Sequence, residues 1–295
     1  MPQVKLSTDS NMGNGVPRNG PYTDIKEMYY KMNHKRRGIA LIFNHEYYLN
    51  QTVSPRRGTN KDRDQLDIVL TELGFQVEPK NNFTYSGILS TIKALAKLDH
   101  SQSDCLLIAV LTHGDLGMLH ASDTHYSISK LWSYFTDQNC PTLAGKPKIF
   151  IIQACRGTNY DAGVTLSDDV ETDGPSSSEM YENTSHPDFL FAYSTAPGFY
   201  SWRNSLNGSW FIQTLCVTLR DYGSDVHIMT LFTMVCRKIA LDFESYTDAN
   251  ETNEKKQIPN ILRTQSKNII TQVPGVNLGA RLAKSEIIKT RSLKV

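Results

Sequence analysis

Four short apolar runs set the limits on what this chain can fold into. Residues 38–44, 105–111, 149–152 and 189–193 are almost wholly hydrophobic, and each is too short for a helix buried on all sides. Strands covered on both faces read this way, and such strands belong to parallel sheets. The stretches between them carry helical spacing instead. Leu66, Val69, Leu70 and Leu73 recur along one face before Gly74, which stands where a helix C-cap belongs, and Ile88, Ile92 and Leu95 mark a second helix. Phe211, Leu215, Leu219 and Tyr222 define a third, and Ile228, Leu231, Phe232, Val235 and Ile239 a fourth. Residues 75–78 read as a further strand. Strands alternating with helices predict an α/β sandwich of three layers, with a central, mostly parallel sheet and helices on both faces. The 295 residues are enough to bury one large core.

Two loops at strand ends carry reactive side chains. Thr112-His113-Gly114-Asp115 follows the second run, and Gln153-Ala154-Cys155-Arg156-Gly157 follows the third. Open α/β sheets place ligands outside the carboxyl ends of their strands. A cysteine attacks an amide carbonyl as thiolate, yet an ordinary thiol is mostly protonated at neutral pH and needs a neighbouring base. Histidine is the side chain whose pKa suits that task. Adjacent parallel strands would bring Cys155 and His113 together. Gly114 and Gly157 beside them let backbone N–H groups approach a developing oxyanion without interference from a Cβ. Position alone still favours a buried core thiol and a structural histidine; the surrounding residues decide.

Composition removes other classes. Net charge is +1, so no global field attracts nucleic acid or an anionic membrane. No apolar run approaches the ~18 residues of a spanning helix, and residues 1–20 are too polar for a signal peptide. Five cysteines, an odd number without C-x-x-C spacing, read as reduced thiols of a cytoplasmic protein. The eight histidines lack metal-ligand spacing, so neither a metal nor a cofactor is expected. Residues 1–35 show no periodicity and read as a flexible leader, and residues 161–187 break the strand–helix grammar as an exposed, nickable loop.

The pentapeptide around Cys155 matches the Q-A-C-[RQG]-G signature of caspases. Further motifs follow in that family's order: Thr112-His113-Gly114, Gly145-Lys146-Pro147-Lys148, Tyr193-Ser194-Thr195-Ala196-Pro197-Gly198, Tyr200-Ser201-Trp202-Arg203-Asn204-Ser205, Gly208-Ser209-Trp210-Phe211 and Lys255-Lys256-Gln257-Ile258-Pro259. From about residue 38 to 259 the chain thus resembles the executioner branch of the caspases, and insect effector members most. The resemblance implies a cysteine endopeptidase with Cys155 as nucleophile, His113 as base, and an oxyanion hole from the N–H groups of Gly114 and Cys155. It implies a backbone carbonyl near Ser54-Pro55 orienting the histidine, and Arg56, Arg203 and Gln153 gripping a substrate aspartate. Tyr200, Trp202 and Trp210 would wall the pockets for residues two and four before the cut.

The same resemblance implies a zymogen with a short prodomain over 1–35, a large-subunit region over 36–173, a linker remnant over 174–188 and a small-subunit region over 189–295. The activating cut is expected after Asp173, with Asp168 and Asp169 as alternatives, made by an upstream initiator caspase, and prodomain removal after Asp24 or Asp9. The implied assembly is a homodimer of large and small subunit pairs acting in apoptosis, with inhibitor-of-apoptosis proteins as restraining partners. Three departures stand out. Asp115 replaces the usual glutamate, residues 247–254 hold no aromatic, and the tail over 263–295 carries seven Lys/Arg against the single acid Glu286. The alternative to an active protease is an idle decoy or scaffold, suggested by the tail at the expected dimer strand.

Overall fold

The computed structural model describes residues 28–163 and 186–269. Asp24, Asp173 and the tail beyond 269 lie outside the described residues, as does most of the leader and linker.

The chain order is β1 (Ile39–Asn44), α1 (Thr59–Glu72), β2 (Gln76–Asn81), α2 (Tyr85–Ala96), β3 (Leu106–Leu111), β4 (Gly114–Asp115), β5 (Met118–His120), β6 (His125–Ser127), α3 (Ser129–Trp132) and β7 (Lys148–Gln153). After the linker come β8 (Phe189–Tyr193), β9 (Arg203–Asn204), β10 (Gly208–Ser209), α4 (Trp210–Tyr222), α5 (Ile228–Asp242) and β11 (Asn260–Arg263). The main sheet has six strands in the order β11-β8-β7-β3-β1-β2, all neighbours parallel except the β11–β8 pair.

The period-2 geometry of a strand divides the core in two. Ala40 and Ile42, Leu107, Ala109 and Leu111, Ile149 and Ile151, and Leu190 and Ala192 face α1, α4 and α5. Their alternates Leu41 and Phe43, Leu106, Ile108 and Val110, Phe150 and Ile152, and Phe189 and Phe191 face α2 and α3. Each run therefore needs apolar residues at every position, which is why the runs lack alternation. Each fully buried Leu, Ile, Val or Phe among them stabilises the fold by roughly 1.5–3 kcal/mol.

The four runs and four helical faces are where the sequence places them. Strand β2 runs further than the expected 75–78, straight through Pro79. It is an edge strand, so the missing proline N–H removes no ladder bond that the sheet requires. Two small pieces were not anticipated. A three-stranded antiparallel ribbon, β4-β5-β6, springs from the end of β3, and a separate β9–β10 hairpin packs against α1 and α4. Their strands are two or three residues long, too short for a period to show.

Candidate active site

Strands β3 and β7 are parallel neighbours with Leu111 opposite Gln153. The register carries His113 and Cys155 off the same end of the sheet, two residues beyond each partner. Gly114 packs directly on the Cys155 segment: a Cβ there would stand 3.0 Å from the Ala154 methyl and 3.0 Å from the Cys155 carbonyl oxygen. Any other residue would push the two loops apart. Gly114 opposes Leu119 next to His113 and His120, where the His120 N–H donates to the His113 carbonyl. The alternation of an antiparallel ladder then turns the Gly114 N–H away from β5.

The Cys155 loop is fastened to the segment after β8. Arg156 N–H donates to the Phe199 carbonyl at 3.0 Å, Gly198 N–H to Arg156 at 2.7 Å, and Tyr200 N–H to Asn159 at 2.9 Å. Gly157, at φ 149°, lies where its missing Cβ would collide with the Gly198 backbone. Cys155 is partly exposed, and its Sγ receives the Ser201 N–H at 3.5 Å.

The His113 ring donates from Nε2 to the Ser54 carbonyl at 2.8 Å. Ser54 lies in the segment from which the resemblance implies an orienting carbonyl. Burial pushes the imidazole pKa down to about 4, with Arg56, Arg203 and His120 adding to the effect against the Ser54 hydrogen bond. The ring is neutral at pH 7, and Nδ1 is the nitrogen left to accept a proton.

Arg56 and Arg203 lie close enough to each other, to His113 and to Cys155 to act on them electrostatically. Arg56 is only 1% exposed and donates from one Nη to Thr59 Oγ1 at 2.8 Å and to the His45 carbonyl at 3.3 Å. Burial lowers its pKa to about 10, with Arg203 adding to it, so it keeps its charge at neutral pH. Arg203, on β9, donates from Nε to the Arg57 carbonyl at 2.9 Å. Among the described residues neither guanidinium has a carboxylate within salt-bridge reach. Asp62 is the nearby carboxylate that offsets part of their charge, but it forms no ion pair with either, and a carboxylate placed between the forks would satisfy their remaining donors. Gln153 ends β7 beside them; its Nε2 donates to Ser201 Oγ at 2.8 Å, and its buried Oε1 has no partner.

Tyr200, Trp202 and Trp210 form one stacked strip. Trp202 lies 5.8 Å from Trp210, which lies 5.4 Å from Phe243. Tyr160 extends the strip, stacking on Tyr200 at 4.6 Å and on Trp202 at 5.9 Å.

Sequence reasoning missed several supporting residues. Asp62 of α1 is fully buried and accepts the Ser209 N–H at 2.9 and 3.1 Å and Gln213 Nε2 at 2.9 Å, which anchors the hairpin carrying Arg203. Its signal was legible, since an acid at position 62 falls on the same helical face as Leu66, Val69 and Leu70. Gln257 bridges the Ser194 carbonyl, 2.7 Å, and the Trp202 N–H, 2.6 Å. Nothing in its local sequence pattern marks that role.

Residues 37–270 match the family profile of the caspase domain. The chain is 53% identical to Caspase-1 of Spodoptera frugiperda over 245 residues, covering 83% of this chain and 79% of that one. The chain belongs to the caspase family. It is 50% identical over 239 residues to Caspase drICE of Drosophila melanogaster, covering 80% and 70% of the two chains. With mouse Caspase-3 it shares 41% identity over 243 residues, covering 81% and 86%. The crystal structure of Caspase-1 from Spodoptera frugiperda superposes with a TM-score of 0.77 at 48% identity, covering 85% of this chain and 97% of that one. This caspase is therefore a cysteine-type endopeptidase of the apoptotic effector branch, with the caspase α/β sandwich and protein substrates. Nothing in these likenesses favours the idle scaffold. No helix among the described residues is long and apolar enough to cross a membrane.

Proposed function

We propose that this caspase cleaves proteins after aspartate, with Cys155 as nucleophile and His113 as base. The observation that supports the specificity is the pair of a buried Arg56 and a half-buried Arg203, neither of which has a carboxylate within salt-bridge reach among the described residues. An aspartate side chain before the scissile bond fits between the two forks, and an uncharged residue would strand their donors. Gln153 completes the pocket once its amide turns its NH₂ toward the carboxylate, with Ser201 then donating to Oε1. That rotation also gives the orphaned Oε1 a partner.

In the first step the Cys155 proton passes to Nδ1 of His113, and the sulfur attacks the carbonyl carbon of the aspartyl residue. The tetrahedral oxyanion is met by the N–H groups of Gly114 and Cys155. Collapse expels the amine with the proton held by His113, and water then hydrolyses the thioester by the same base. Tyr200, Trp202 and Trp210 serve as walls for the substrate side chains upstream.

Activation follows a cut after Asp173 in Val170-Glu171-Thr172-Asp173-Gly174, made by an initiator caspase, and Asp24 is the prodomain site. The active form is a homodimer of processed protomers in the cytosol, restrained by inhibitor-of-apoptosis proteins. Five unpaired cysteines support a reducing compartment. A peptidyl ketone ending in Asp tests the assignment: mass mapping should find the adduct on Cys155. An adduct on another cysteine, or none with active protein, would refute it.

A further inference from the structure

Paired antiparallel strands exchange two backbone hydrogen bonds at each narrow pair. Where the chain leaves β3 and enters β4, half of that exchange is replaced by hydroxyl groups. His120 N–H donates to the His113 carbonyl at 3.0 Å, as a ladder requires. The return bond is missing, because His113 N–H donates to the Tyr48 hydroxyl at 3.1 Å. The His120 carbonyl instead accepts the Thr112 hydroxyl at 2.7 Å. Thr112 has one hydroxyl proton, so toward Tyr48, 3.0 Å away, its oxygen is the acceptor. The directions are then fixed around a closed circuit: His113 N–H to Tyr48, Tyr48 to Thr112, Thr112 to the His120 carbonyl, and His120 N–H back to the His113 carbonyl.

We propose that Tyr48 is a positioning residue for catalysis, which with Thr112 clamps the His113 backbone and so aims both Nδ1 and the Gly114 N–H. The inference rests on the reading of His113 as base. Ser54 holds only the far nitrogen of the imidazole, and a ring held at one end still swings with its backbone. The Tyr48 ring also packs on the His113 ring at 5.2 Å and edge-on against His120 at 6.2 Å. Residues 45–56 carry Tyr48, Ser54 and Arg56 on one loop. The hydroxyl therefore ties the base to the loop that holds the substrate carboxylate, and keeps the two in register. Burial raises the phenol pKa, so Tyr48 stays a donor throughout the working range.

The test uses the processed enzyme and an Asp-ending fluorogenic peptide. Y48F keeps the ring and removes the hydroxyl; it should lower kcat ~10-fold with KM within about 2-fold, since the arginine pocket is intact. T112V, which breaks the same circuit elsewhere, should match it, and T112S should restore wild-type kcat. The double variant Y48F/T112V should be no worse than the worse single, as both open one circuit. T112V and T112S carry the test should Y48F fail to fold. Unchanged kcat in Y48F, a loss confined to KM, or additive effects in the double variant would each overturn the clamp. An inactive wild-type enzyme would instead sink the assignment of His113 and Cys155 themselves.

Discussion

His113 donates its Nε2 proton to the Ser54 carbonyl at 2.8 Å, which leaves an unprotonated Nδ1 as the acceptor. Burial, reinforced by Arg56, Arg203 and His120, holds the pKa at about 4. The base form is therefore present at any pH above that value. The acid limb of kcat/KM should fall near pH 4, where the substrate carboxylate also titrates. A bound aspartate offsets the two arginines and raises the histidine pKa, so the limb of kcat should lie at higher pH than that of kcat/KM. A kcat/KM limb near pH 6.5 would contradict this.

Arg203 is half-buried on a hairpin and makes one backbone contact through Nε, so its replacement leaves the core alone. R203K keeps the charge and loses the planar fork. Its kcat/KM for an Asp peptide should drop on the order of 10³-fold, and the ratio of Asp to Asn cleavage should narrow. Steady-state kinetics on the paired peptides gives both numbers.

Asp62 supports that hairpin from below. Truncation in D62A strands the Ser209 N–H and Gln213 in a buried site, at a cost of roughly 2–3 kcal/mol. A urea midpoint should fall accordingly, and KM should rise as Arg203 loosens. An unchanged midpoint and KM would show that the hairpin stands without it.

Gly157 and Gly145 both have positive φ, yet only Gly157 lies against backbone, since nothing stands within 4 Å of a Cβ at Gly145. G145A should cost about 1 kcal/mol from backbone strain alone. G157A must also displace Gly198, and should lower both the unfolding midpoint and kcat. Equal effects in the two variants would refute the close approach.

Much of this molecule was legible in its sequence. Continuous apolar runs such as 105–111 told of strands buried on both faces, and the alternation of Leu106 and Leu107 between two cores bears that out. The placement of His113 and Cys155 followed from strand ends alone. The ribbon over β4–β6 did not, because strands of two or three residues carry no period. Asp62 could have been read as a misplaced acid on an apolar face. Tyr48 could not, since its partners lie 64 and 65 residues away and meet it only through the register of the sheet. β11 pairs with β8, Asn260 to Arg263 aligning with Tyr193 to Leu190, whereas the tail beyond 269 lies outside the described residues.

The central claim is a cysteine nucleophile beside a pocket for one carboxylate. Its most direct measurement is kcat/KM on matched tetrapeptides ending in Asp, Glu, Asn or Arg, with protein cut after Asp173 and with C155A. Hydrolysis confined to the Asp peptide, at least ~10³-fold above the others and absent from C155A, is the predicted result. Cleavage of the Arg peptide, comparable rates on Asn, or activity surviving in C155A would contradict the account.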